Sequence, residues 1–300
     1  MEPNLSNMVC DRLKSYEPLS SLLSTYTGQP AVFYQLAPDD SQPGWNRETQ
    51  YPRIVFDLDE QADVERKSSG TLVLFIYCDR TGTEPERIEP LVKARLKDLL
   101  IKPDGGFPYC FAWARTDAFE IQDAHGSASQ RRVIGLEVRF DIVEYPMQET
   151  TDPDPVAALN AFLAEEYPEA VIVGHTHMGR FTEATAKRPV LYCRIQSTET
   201  ASITNTVVWM NAKIAIHVIC ADPDARLKLA SDIGNRIACC AEIIMLDDSP
   251  MRPTAISGNN RADYLKEGQL SGTFYYGVLR WRRKSHLVMN ANLELQPRQD

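Results

Sequence analysis

The chain has 300 residues, 43% of them hydrophobic and 24% charged, with 32 basic against 41 acidic side chains. These proportions exclude a wholly disordered chain, and a net charge of −9 excludes a global electrostatic grip on nucleic acid. No run approaches the roughly 20 apolar residues of a membrane helix, and the opening Met1-Glu2-Pro3-Asn4 predicts no signal peptide. Seven cysteines, an odd number with no Cys-x-x-Cys spacing, read as reduced core thiols rather than disulfides or a zinc site.

A first helix is predicted over Asp11–Ser24 from the spacing of Leu13, Tyr16, Leu19, Leu22 and Leu23, with Pro18 as a kink. The apolar run Ala31–Tyr34 follows. Tyr51–Leu58 alternates, with Ile54, Phe56 and Leu58 on one face, and reads as a half-buried strand. Asp59–Lys67 reads as a charged hairpin loop, and Thr71–Cys78, apolar on both faces, as a central strand. A second helix is predicted from Thr83, Pro85 and Glu86 through Ile88, Leu91, Val92, Leu96, Leu99 and Leu100. Strands at Tyr109–Ile121 and Arg132–Ile142 complete this half.

Tyr145–Pro155 holds three prolines and almost no apolar content, so it reads as an extended linker. Beyond it the order recurs. A helix is predicted over Asp154–Glu166, and Ala170–Val173 matches Ala31–Tyr34. Pro189 falls under Pro52, and Cys220 under Cys78. A helix capped by Asp222-Pro223 follows, and Thr273–Trp281 matches the last strand of the first half. The offsets are 139, 137, 142 and 141 residues. The prediction is an α+β protein of two tandem domains, each a mixed or antiparallel sheet packed with two helices. The domains are placed at 1–145 and 156–300, joined by a linker at 146–155. They differ in charge: residues 1–150 carry 16 basic and 24 acidic side chains, and residues 151–300 carry 16 and 17.

There is no Gly-x-Gly-x-x-Gly, Walker loop or Gly-x-Ser-x-Gly. Gly174-His175-Thr176-His177 after an apolar strand resembles the last metal motif of calcineurin-like metallophosphoesterases. Its companions are missing: Asp123-Ala124-His125 precedes a polar loop, no Gly-Asp occurs, and Gly258-Asn259-Asn260 lacks a His. His217 reads as a part-exposed or hydrogen-bonded structural residue. Arg280–Lys284, with Trp281 and His286 nearby, reads as the exposed half of a strand. The expectation is therefore no enzyme, no catalytic residue, no metal and no cofactor.

The element order resembles the tail-terminator (tail-completion) family of long-tailed bacteriophages and prophage tails. The matching features are the opening helix with Leu13, Leu19 and Leu22, and the Pro in Tyr51-Pro52-Arg53-Ile54. The charged loop before Thr71–Cys78, the helix Ile88–Leu100 and the closing strand Val133–Val143 complete the set. The resemblance implies a structural virion protein of the tail or neck, assembled in the host cytoplasm. Such a protein forms a homo-oligomeric ring, here with six chains favoured over three. It caps the tail tube protein, ends polymerisation and meets the head-tail connector protein. Genomic DNA passes through the channel without specific binding, and no membrane is involved. Family members are usually single-domain, so a duplication departs from the pattern. Asp59, Glu60, Asp63 and Glu65 are expected at a partner or channel surface, because burying unpaired carboxylates costs several kcal/mol each. The alternatives are a metal-dependent phosphoesterase using His175 and His177, and a non-viral two-domain adaptor.

Overall fold

The computed structural model describes residues 4–39, 42–46, 49–60, 70–80, 82–122, 132–147 and 152–280. The first half contains helices α1 (Leu5–Lys14) and α2 (Glu17–Ser20) and a small ribbon of β1 (Thr25–Tyr26) with β2 (Gln29–Pro30). It continues through β3 (Val32–Tyr34), β4 (Arg53–Glu60), β5 (Gly70–Asp79), α3 (Pro85–Leu96), β6 (Leu99–Ile101), β7 (Tyr109–Gln122) and β8 (Arg132–Glu144). The second half runs α4 (Pro155–Glu166), β9 (Val171–Ile172), β10 (Phe181–Glu183), β11 (Val190–Ile203) and β12 (Val207–Ile219). It ends with α5 (Pro223–Cys239), β13 (Ile243–Ile244), β14 (Pro250–Gly258) and β15 (Leu270–Leu279). No helix among the described residues is long and apolar enough to cross a membrane.

The protein is α+β, built on two mixed sheets. One has the order β10-β6-β7-β8-β5-β4-β3 and the other β13-β14-β15-β12-β11-β9. With β10 set aside, the two orders correspond strand for strand. In each, the last pair is parallel and the other named strand pairs among the described residues are antiparallel, the parallel ones being β3 with β4 and β9 with β11. The register repeats as well. Ile54 faces Ile76, and 137 and 142 residues further on Leu191 faces Val218.

The last strand breaks the sequence-based alignment. Leu74 faces Val138 and its counterpart Ile216 faces Leu270, so β8 and β15 are related by 132 residues and not 141. The nine-residue difference is odd, and an odd slip moves every side chain to the other face. An offset of 141 would put the core-packed Ile134 on Tyr275. Tyr275 instead stacks on Trp209 at a centroid distance of 5.0 Å, while its neighbour Phe274 enters the core.

Helix ends also differ from expectation. Residue 5 opens α1, capped by Asn4, whose Oδ1 accepts the Asn7 N–H at 3.0 Å. The helix stops at Lys14, and Pro18 lies in the first turn of α2, where a missing N–H costs nothing. Pro85 starts α3 as expected, but the cap is Glu84, without a side-chain bond, and the helix ends at Leu96. Asp98 at φ +59° turns the chain into β6, so Leu99 and Leu100 belong to a strand. A run apolar on both faces satisfies helix and strand periods alike. In the second half, Asp154 caps α4 through Val156 and Ala157, and Asp222 caps α5 through Asp224 and Ala225. Pro155 is already helical, so α4 begins inside the stretch assigned to the linker, of which residues 148–151 lie outside the described residues.

Each sheet packs its helices over its own core. Val9, Leu13, Ile54, Ile76, Val92 and Phe140 belong to the first, and Leu159, Ile172, Ile216, Ile233, Met251 and Phe274 to the second. A third core draws on both halves.

Candidate assembly interface

The third core begins with an edge. Residues 181–183 of the second half add as β10 to β6 of the first, with Phe181 facing Ile101 and Glu183 facing Leu99. Leu99 and Ile101 point into the first core, while Leu100, fully buried, points the other way. Around Leu100 gather Cys110, Val143 and Tyr145 from the first half and Val173, Tyr192 and Ile219 from the second. Hydrogen bonds fix the contact. The Tyr145 hydroxyl donates to the Leu265 carbonyl at 3.0 Å, and the Tyr192 hydroxyl to the Pro146 carbonyl at 2.8 Å. Ion pairs rim it: Arg180 with Asp104 at 2.6 Å, Lys266 with Asp141 at 2.5 Å, and Arg12 with Glu183. An apolar centre with a polar rim is the anatomy of a protein–protein interface. Here it joins two parts of one chain.

Asp98 sits at this junction, 4% exposed, and accepts the Tyr264 hydroxyl at 2.5 Å. The Arg226 guanidinium lies 3.7 Å from the Tyr264 ring centroid and donates to the Cys220 carbonyl. Burial raises the Asp98 carboxyl above its usual range, against the opposing pull of the Tyr264 hydrogen bond, Lys97 and Arg226. An acid raised in the folded state contributes stability below its unfolded value and loses it as pH rises through the folded value. Asp98→Asn keeps an oxygen for Tyr264 without the charge. It is expected to stabilise the protein at pH 7 relative to the parent and to lose that advantage below pH 4, measured by thermal unfolding across this range.

His217 lies on the buried side of the same junction, fully enclosed between Tyr145 and Tyr192. Its Nδ1 is 3.0 Å from the Tyr264 carbonyl, and Arg194 Nε donates to Nε2 at 3.3 Å. A neutral ring protonated on Nδ1 satisfies both contacts. The hydrogen-bonded structural role stands. Of the two expected settings, part-exposed or hydrogen-bonded, it takes the second and is fully buried, because the outer face of β12 is covered here by the other half.

Asp59 and Glu60 close β4 and are exposed. Partial burial, then the neighbouring Glu144 carboxylate, raise Glu60. Asp63 and Glu65 lie outside the described residues, as do Asp123 and His125 and the basic stretch beyond Arg280. Arg280 itself anchors the β11–β12 turn, its N–H donating to the Thr206 carbonyl and its Nη1 to that of Thr204. His175 and His177 are exposed and occupy a turn beyond β9 rather than a strand end; the His175 N–H closes back on the Ile172 carbonyl at 3.1 Å. They line a groove of about 520 Å³ with Lys102, Phe107 and Met147. Among the described residues no group of three His, Cys, Asp or Glu side chains is placed to hold a metal ion. Burial pushes the Cys78 thiol up to about 12 and raises Cys110 and Cys193, which keeps these thiols protonated and weakly nucleophilic.

Sequence reasoning missed β10 and the junction. The signal lay in Leu99-Leu100-Ile101 and Val143-Glu144-Tyr145, which are apolar on faces that a one-sided sheet would leave polar. No family model and no curated protein matches this chain.

Proposed function

We propose that this chain is a structural ring subunit of a phage or prophage tail, capping the tube, ending its polymerisation and meeting the head-side connector. The observation that carries the reading is two sheets of corresponding strand order in one body, joined where β10 of the second half adds to the β6 edge of the first sheet. A unit that already docks on its own likeness is suited to docking on further copies. Among the described residues the end strands are short: β9 pairs with β11 at Val190 and Leu191, and β6 pairs with β7 at Tyr109 and Cys110. Sheet edges recruit other chains. Asp57, Asp59 and Glu60 present an acidic, exposed end of β4, suited to a channel along which DNA slides without sticking. The halves have diverged in charge, with 16 basic and 24 acidic side chains in residues 1–150 against 16 and 17 in residues 151–300, which favours six chains with divided roles over three.

The test is the mass of the purified assembly, negative-stain imaging, and addition to polymerising tail tube protein. A closed ring that halts tube growth is expected. A strict monomer that binds neither tube nor connector overturns the reading.

A further inference from the structure

The internal junction has a donor side and an acceptor side, and the chain carries one unused copy of each. The acceptor is β6, whose outward residue Leu100 is buried under the second half. Its counterpart is β13. Ile243 and Met245 enter the second core as Leu99 and Ile101 enter the first. Ile244 therefore lies on the outward face of β13 as Leu100 does on β6, yet it is 54% exposed, and Leu246, on the same face, is 74% exposed. Helix α4 packs close to β13, so what remains free there is outward side chains rather than backbone.

The donor side comprises the segment between β9 and β11, which supplies β10, and the outer face of the adjoining strands. Tyr192, His217 and Ile219 are buried there. The register places Val55, Phe75 and Tyr77 at the same positions in the first sheet. These three are only half-buried, and Phe75 and Tyr77 form an aromatic cluster with Phe119. Tyr34, the last residue of β3, is 40% exposed, and Leu36, in the segment after β3 that is equivalent to the one carrying β10, is 83% exposed. Exposed or half-exposed apolar groups thus recur on both unmatched faces, where the internal contact buries Leu100 on the one side and Tyr192, His217 and Ile219 on the other. Exposed apolar patches of this kind mark interaction sites.

We infer that the occupant is a second copy of this chain: the β3–β4 face of one copy, with Tyr34 and Leu36 at its margin, packs on the β13 side of the next through Ile244 and Leu246. The contact joins the same two kinds of face as the internal junction, through side chains and without an added strand. It is heterologous, so it propagates head to tail and closes into a ring when the rotation per step divides a full turn. The inference rests on the homo-oligomeric part of the proposed function and names its interface.

Two surface variants test it, Leu36→Arg and Ile244→Arg, since neither replaces a core side chain. Each variant alone is expected to sediment as a monomer with a circular dichroism spectrum and melting temperature like the parent's. Mixed in equal amounts, they should form a dimer and nothing larger. The Ile244→Arg copy still offers an intact β3–β4 face, the Leu36→Arg copy an intact β13 side, and only that one contact can form. Assemblies of parental mass from either variant alone, or a mixture that stays monomeric, overturn this interface while leaving the ring reading to other surfaces. A parental chain that stays monomeric at tens of micromolar overturns this interface, and one that also binds neither tube nor connector removes the ring reading itself.

Discussion

Leu100→Asp is expected to destabilise the whole protein by at least about 4 kcal/mol, enough to lower the melting temperature by roughly 10 °C. Leu100 is fully buried among Cys110, Val143, Tyr145, Val173 and Tyr192. Losing a buried leucine costs about 1.5–3 kcal/mol, and an unpaired carboxylate in the same place adds its desolvation. The damage falls on both halves, because residues 181–183 of the second half form the sheet edge that covers Leu100. Calorimetry of the parent should give one transition, and the variant should show two or a broadened one. Ile244→Asp, on the outward face of β13, provides the contrast. With 54% exposure, it should change the stability of a single chain by less than about 0.5 kcal/mol. Equal costs at the two positions would contradict the asymmetry on which the junction rests.

Gln269→Leu is expected to cost about 2–5 kcal/mol although it puts a hydrophobic residue in a buried site. Strand β15 pairs with β12 only as far as Leu270 opposite Ile216, which leaves Val218 without a strand partner on that side. The Gln269 side chain takes the missing place. Its Nε2 donates to the Val218 carbonyl at 2.7 Å, and its Oε1 accepts the Val218 N–H at 2.9 Å. The backbone reaches this position through Gly268 at φ +86°, where an added Cβ would meet the Ile216 carbonyl at 3.0 Å. Leucine fills the space but leaves two buried backbone groups unpaired, each worth about 1–3 kcal/mol. Urea unfolding measures this directly. An unchanged midpoint and slope would show that water reaches Val218.

The repeat of two α+β units was legible in the sequence, because alternation along a strand and capping at a helix start are local. Ile54, Phe56 and Leu58 announce β4 from their own spacing, and Asp154 and Asp222 announce α4 and α5 from the residues that follow. The 137- and 142-residue offsets of β11 and β12 survive in the structure because both strands keep central positions whose two faces are constrained. The nine-residue error at β15 has a local cause too. Its residues alternate between apolar and small or aromatic on both faces, so one register reads as well as the other until Gly272 and Phe274 are seen against Ile214 and Ala212.

What tertiary structure alone decided is which apolar face is covered. Leu100 and Ile244 are both aliphatic, both follow a helix, and both sit one residue after a core-facing neighbour. No local pattern separates them, because their difference comes from β10, about 80 residues away from the one and 60 from the other along the chain. The same holds for His217 and Phe75, equivalent in register, one sealed by Tyr145 and Tyr192 and the other half open. Hydrophobicity selects residues for burial without naming the surface that buries them. The sequence therefore determined two sheets with apolar outer patches, and only the packing of the halves decided which patches were buried within the chain and which stayed exposed.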